Sequence, residues 1–168
     1  MSSSDSVSRQ WVAVRVKSNF EQYVSSSIKG KNLEEFCPTY VRKKQDDNHS
    51  EVRVPLFPGY LFCRLDYKER LPVLKIPGVV GFVGAGKQPL PVKEEEISAV
   101  RRMVESRLPV WPCPFLYAGQ RIRLKAGPLC GVEGSILSVT GAWQIVVTVS
   151  LLQRSVAVNV DPDWIERA

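Results

Sequence analysis

The sequence predicts an α+β protein: an amino-terminal α/β sandwich on a mainly antiparallel sheet with flanking helices, followed by a small SH3-like β-barrel. Three observations carry this. Up to about residue 105, apolar runs of strand character are interspersed with two segments of helical periodicity, the pattern of helices packed on a sheet. From about residue 115 the helical signal stops, and short β-branched runs are punctuated by Gly127, Gly131, Gly134 and Gly141. Between the two regions, Ser106–Ala118 reads SRLPVWPCPFLYA, with Pro109, Pro112 and Pro114. Proline lacks an amide donor and drives the preceding residue away from helix. The expected organisation is a disordered tail over 1–8, a first domain over 9–105, a semi-rigid linker over 106–114 whose last residues pack on the second domain, and that second domain over 115–168.

The elements are taken in chain order. Gln10–Val16, with Trp11, Ala13 and the valines, predicts a strand. Ser18-Asn19-Phe20-Glu21 fits a capping box, Phe20, Val24 and Ile28 recur at steps of four, and Gly30 supplies a stop. A helix is therefore expected to run to residue 27 or 29. Phe36–Val41 reads as a second strand, Lys43–Ser50 (KKQDDNHS) as a polar hairpin tip, and Glu51–Val54 as the return strand. Pro58-Gly59 feeds an apolar strand to Leu65, and Pro77-Gly78 precedes the run Val79–Val83. Glu94-Glu95-Glu96 places negative charge at the positive end of a helix. Ile97, Val100, Met103 and Val104 give that helix an apolar face. In the second region Arg121–Lys125 alternates, 132–139 and 144–149 are β-branched, and Val156, Val158 and Val160 share one face of a last strand.

Composition narrows the function classes. The chain has 168 residues, 44% hydrophobic, enough for one medium domain or two small ones. A formal net charge of +6 fits work near nucleic acid without requiring it. No apolar run approaches the ~20 residues of a membrane span. The serine-rich start resembles neither a signal peptide nor a transit helix, so the expected compartment is the cytoplasm. Cys37, Cys63, Cys113 and Cys130 form no C-x-x-C pair and His49 stands alone, so no metal site is expected and the thiols read as packed or idle.

Enzyme motifs fail on spacing. Gly84-Ala85-Gly86-Lys87 lacks the length and the Ser/Thr of a P-loop and reads as a loop between strand and helix. His49 beside Asp46 and Asp47 reads as a solvated loop histidine, not part of a triad. Glu94–Glu96 are adjacent helical positions that point in different directions, a helix start more than an acid/base or metal cluster. No catalytic residue and no cofactor are expected.

The motifs together resemble a known family. Leu56-Phe57-Pro58-Gly59-Tyr60-Leu61-Phe62 resembles the F-P-G-Y strand of the NusG amino-terminal (NGN) domain. Trp11 with its strand and the Val16–Glu21 helix start are similar to the opening of that domain. Residues 76–84 (IPGVVGFVG) and 89–92 (PLPV) resemble its last third. Residues 126–134 (AGPLCGVEG) resemble a KOW motif. The resemblance spans about residues 9–168. It implies a non-enzymatic, monomeric transcription elongation factor that modulates pausing, antitermination or termination. The NGN domain would bind the clamp helices of the largest RNA polymerase subunit and touch non-template DNA. The KOW domain would recruit a small-subunit ribosomal protein or the termination factor Rho.

A polymerase-facing surface needs exposed apolar side chains, because burying them supplies the binding energy. Tyr60 and Phe62, two apart on a strand, share a face. By the resemblance Phe82 and Ile97 complete the patch, the competing reading being that Phe62 and Phe82 are core. Lys17 matches a position near DNA in specialised members of the family. Arg42, Lys43 and Lys44, with Arg53, flank the hairpin that would reach across the cleft; solvated charges are the competing reading. Ser150–Arg154 (SLLQR) matches the partner-contact loop, which nominates Leu151, Leu152 and Arg154. Leu152 stands where general NusG proteins often carry phenylalanine, a departure that points to a specialised paralogue. A ribosome-associated or RNA-binding KOW module without polymerase binding is the alternative, and a small enzyme with an SH3-like appendage a more distant one. The β-branched runs and glycines of residues 115–168 predict a β-barrel there, leaving Tyr60 and Phe62 unmasked, in place of the helical hairpin a specialised member can form.

Overall fold

The computed structural model describes residues 9–43, 50–85, 88–113, 120–139 and 142–168. In chain order its elements are β1 (Gln10–Val16), α1 (Glu21–Lys29), β2 (Glu34–Phe36), β3 (Thr39–Lys43), β4 (Glu51–Pro55), β5 (Tyr60–Leu65), α2 (Arg70–Leu74), β6 (Val79–Phe82), β7 (Gly84–Ala85), β8 (Gln88–Pro89), α3 (Glu94–Glu105), β9 (Val110–Cys113), β10 (Arg121–Leu124), β11 (Glu133–Val139), β12 (Ala142–Val149), β13 (Arg154–Asn159) and β14 (Ile165–Arg167). They gather into two compact units, Met1–Cys37 with Phe57–Lys93, and Pro38–Leu56 with Glu94–Ala168. Among the described residues no helix is long and apolar enough to cross a membrane.

The first unit is built on an antiparallel sheet of order β2-β5-β1-β6. The strand period of two sends Val12, Val14, Val16, Leu61, Cys63 and Leu65 to one face, where they pack with Val24 and Ile28 of α1 and Val73 of α2. Each such side chain, once fully buried, contributes about 1.5–3 kcal/mol of hydrophobic stabilisation. The opposite face carries Trp11, Ala13 and Phe62, which are buried as well. Burial on both faces is why the centres of β1 and β5 read as continuous apolar runs instead of alternating ones.

Helix α1 ends as expected, with Gly30 at its C-cap, but the capping box does not form. Phe20 occupies the N-cap with no side-chain bond, because Asn19 turns into the left-handed region at φ 70° and moves Ser18 away from the helix end. Glu21 instead lies buried and reaches Gly59. The strand expected over Phe36–Val41 divides into β2 and β3 around Pro38. Proline cannot donate to a ladder, and Pro38 instead accepts the Leu56 N–H through its carbonyl at 2.9 Å. Helix α2 comes after a short turn capped by Asp66, which accepts the Lys68 N–H while Glu69 accepts the Asp66 N–H. Five residues are too few to show helical periodicity in the sequence. The glycine-lysine loop is the hairpin β7–β8, whose tip residues Gly86 and Lys87 lie outside the described residues.

The second unit contains an antiparallel sheet of order β14-β10-β11-β12-β13-β9 and the separate hairpin β3–β4. Ile122, Leu124, Leu129, Ile145, Val149, Val156 and Val158 form its buried interior. The described residues from 120 onward are strands and turns, with no α-helix among them. The SH3-like closure expected from the sequence goes beyond this open ladder. Within the proline-rich segment, Val110–Cys113 form β9, which pairs with β13, Trp111 opposite Ala157 and Pro112 opposite Val156, while Pro114–Ala118 lie outside the described residues. A proline fits there because β9 is an edge strand whose outer side needs no donors. Helix α3, expected as the last element of the first domain, groups with this unit and packs against β12. The expectations placed on the tail 1–8, on Lys44, on His49 with its aspartates and on Gly141 fall outside the described residues.

Candidate functional site

The turn before β5 is fastened at both ends of one peptide. Gly59 adopts φ 85°, which a side chain resists. Its N–H donates to the Glu21 carboxylate at 3.1 Å, and its carbonyl accepts the Val16 N–H at 2.8 Å. The Tyr60 N–H closes the turn on the Phe57 carbonyl at 2.9 Å. Tyr60 is thereby held at the start of β5 and remains half-buried, opposite Arg15 in the register.

Of the other three residues of the expected patch, Phe62 and Ile97 are buried, and Phe82 is half-buried like Tyr60 but on the other face of the sheet. Phe62 is 0% exposed, stacked on Phe36 at 6.1 Å and edge-on to Phe57 at 5.4 Å. Its shared face with Tyr60 is real, but that face is closed over at Phe62. Phe82 pairs with Val14 in the register and packs on the helix-covered core, so it lies on the opposite face of the sheet from Tyr60. A register shift between Arg15 and Val16 accompanies this pairing, and no pattern in the sequence reports it. Ile97 is 2% exposed, on α3 in the second unit. Phe62 is thus a core residue, while Phe82 is half-buried against the helix-covered core.

Lys17 is exposed directly after β1, and its N–H donates to the Gly78 carbonyl at 2.8 Å. Gly78, at φ 96°, sits under Phe20: a β-carbon there would lie 2.3 Å from the ring. Beside this turn Phe20 and Tyr23 are exposed in an edge-to-face pair at 6.3 Å, and Tyr23, Lys31, Lys75 and Pro77 help line an open groove. Sequence reasoning used Phe20 only as a helix-face residue and missed this groove. On the hairpin, Arg42 and Lys43 are exposed on opposite faces, as adjacent strand positions must be. Arg53 donates to the Thr39 hydroxyl at 3.1 Å.

In the second unit Ser150–Leu152 form a single 3-10 turn, and Gln153 reverses the chain at φ 51°. Leu151 and Leu152 are half-buried, and Arg154 is exposed at the start of β13. A contact invisible in the sequence fixes this loop: the Glu96 carboxylate accepts the Ser150 hydroxyl at 2.7 Å and the Ser150 N–H at 3.3 Å. The glycine turn between β10 and β11 is equally defined. The Gly131 N–H donates to the Leu124 carbonyl at 2.7 Å, and the Lys125 N–H to the Trp164 carbonyl at 2.7 Å.

Burial pushes the thiols of Cys37 and Cys63 up to about 12, with Glu35 and Glu69 respectively adding repulsion, so both are protonated packing groups at neutral pH. Among the described residues no group of His, Cys, Asp and Glu is placed to hold a metal ion.

These features define a two-unit α+β protein whose candidate sites are turns and loops on its units. The chain belongs to the NusG family: the family model described as transcription termination factor nusG matches residues 9–101. It is similar to proteins named transcription termination/antitermination protein NusG. That of Borreliella burgdorferi is 26% identical, over 96% of this chain and 100% of the relative. That of Thermus thermophilus is 25% identical over the same shares, and that of Staphylococcus aureus 27% identical over 95% and 96%. A solved structure titled "Domain interaction in Thermotoga maritima NusG" shares the fold, with a TM-score of 0.53, 21% identity, and coverage of 95% of this chain and 97% of that one.

Proposed function

We propose that this protein is a transcription elongation factor that binds RNA polymerase through the Tyr60 turn and modulates pausing, antitermination or termination. The observation that carries the reading is the double fastening of the Gly59 peptide by Glu21 and Val16. It pre-organises an aromatic side chain, so little ordering entropy remains to be lost on docking. The transcription role is supported by the family match and by the names of the full-length relatives. The coiled-coil clamp helices of the polymerase are the proposed partner of this face. Lys17, exposed beside the same turn, suits a nearby phosphate backbone. In the second unit, the loop carrying Leu151, Leu152 and Arg154 is the proposed seat of a second protein, a ribosomal protein or Rho. The factor acts by binding, without turnover of a substrate.

The test compares two aromatic truncations. Tyr60→Ala should weaken polymerase capture by about 2 kcal/mol, roughly thirtyfold, with little change in the thermal melt. Phe62→Ala should instead lower stability by about 3–5 kcal/mol, because it empties a closed aromatic cluster. A folded Tyr60→Ala chain that binds polymerase and alters pausing like the wild type in a single-round transcription assay would overturn the reading.

A further inference from the structure

We propose that Phe20 and Glu21 are positioning residues that make the Tyr60 turn and the Lys17 turn move as one. Strand β1 lies between β5 and β6 in the sheet and is antiparallel to both. Its end therefore meets the starts of both neighbours: Arg15 stands opposite Tyr60, and Val16 opposite Val79. Over residues 16–21 the chain then grips each flanking turn twice. The Val16 N–H donates to the Gly59 carbonyl and the Lys17 N–H to the Gly78 carbonyl, both at 2.8 Å. After the reversal at Asn19, φ 70°, the next two side chains return to the same two glycines. Phe20 lies on Gly78, with three of its atoms within 2.8 Å of where a β-carbon would stand. Glu21, 5% exposed, accepts the Gly59 N–H at 3.1 Å.

Val16 and Glu21 thus hold one turn, and Lys17 and Phe20 hold the other. The grips alternate between covalent neighbours, so a shift at either glycine is passed to the segment that holds both. That segment has little slack of its own. The Phe20 N–H donates to the Lys17 carbonyl at 3.0 Å, and the Val24 N–H ties Phe20 into α1 at 2.9 Å. Residues sharing one such network couple, where distant ones act independently. The consequence rests on the roles proposed above for Tyr60 and Lys17. A phosphate drawn to Lys17 orders the segment that aims Tyr60, so a partner docking on Tyr60 has less ordering entropy left to lose. Linkage makes the effect reciprocal: a partner on Tyr60 favours the phosphate at Lys17 by the same factor.

Residue-resolved amide exchange on the full-length chain tests this, with neither polymerase nor DNA present. Glu21→Ala should speed exchange at the Gly59 amide about tenfold, the effect of losing one charge-assisted bond. Through the shared segment it should also speed the Lys17 amide, about threefold. Phe20→Ala should speed the Lys17 amide and carry over to the Gly59 amide, again about threefold. Glu21→Gln keeps an oxygen for the Gly59 N–H, and Phe20→Tyr keeps a ring on Gly78. Both should restore protection at the two turns together. The amides of Val12 and Val14, in the middle of β1, should exchange at the wild-type rate throughout. Acceleration confined to the turn nearest each substitution would overturn the proposal. Equal acceleration at Val12 and Val14 would overturn it as well, since that is loosening of the whole unit. No ligand enters the measurement, so failure of the coupling and failure of the polymerase-binding reading are told apart.

Discussion

Gly59 and Gly127 adopt nearly the same backbone conformation, φ 85° and 82°, in turns that lead into strands of the two units. Their surroundings differ. At Gly59 the nearest atom to an added β-carbon is the Val16 carbonyl oxygen at 3.8 Å, an ordinary contact. At Gly127 three atoms of the Trp164 indole lie within 2.9 Å of that position. The first glycine is required for the sign of its φ alone, which aims its N–H at Glu21 and its carbonyl at Val16. The second is required for its sign and for its lack of a side chain, because Trp164 packs directly on it. The same letter in two turns therefore answers to a local constraint in one unit and to a tertiary one in the other.

The comparison can be broken by substitution. Gly127→Ala should cost the second unit about 2–4 kcal/mol, combining left-handed strain with overpacking against the indole. Gly59→Ala should cost the first unit about 1–2 kcal/mol, strain only. Amide exchange resolved by residue reads each unit separately, which a single melting curve does not. Equal losses would mean that Trp164 yields, and that the two turns are alike after all.

The smallest expected effect concerns the charges across the second turn. Arg123 bonds Glu133 at 3.0 and 2.5 Å, and the guanidinium holds the Glu133 carboxyl below its ordinary range. A depressed carboxyl contributes stability above its unfolded pKa and loses it as pH falls through the folded value. Wild type should therefore exceed Glu133→Gln slightly at neutral pH, and the two should converge in acid. Both groups are exposed, so added salt should shrink the difference. A gap that persists in strong acid would show that packing, not charge, separates the variants.

Much of the architecture was legible in the residues. Period-two runs and glycine spacing in the second region, and the steps of four at Phe20, Val24 and Ile28, are local signals, and strands and α1 formed where they point. The F-P-G-Y turn was legible for the same reason. What escaped were features set by distant partners. Ser18-x-x-Glu21 satisfies the capping pattern, yet Glu21 goes to Gly59, 38 residues on. The proline-rich segment reads as a linker, yet the edge position of its residues Val110–Cys113 beside β13 makes Pro112 compatible with a strand.

The candidate surface divides along the same line. That Tyr60 and Phe62 share a strand face follows from the geometry of any strand and was determined by the sequence alone. Which of the two remains accessible was not, since it depends on Phe36 and Phe57 closing over Phe62. The face taken by Phe82 depends on its pairing with Val14 beside a register shift, and the hold on Ser150 depends on a carboxylate 54 residues away. Periodicity is a property of neighbouring residues, whereas burial and long-range bonds are properties of whatever the fold brings against them, and only the tertiary structure decides those.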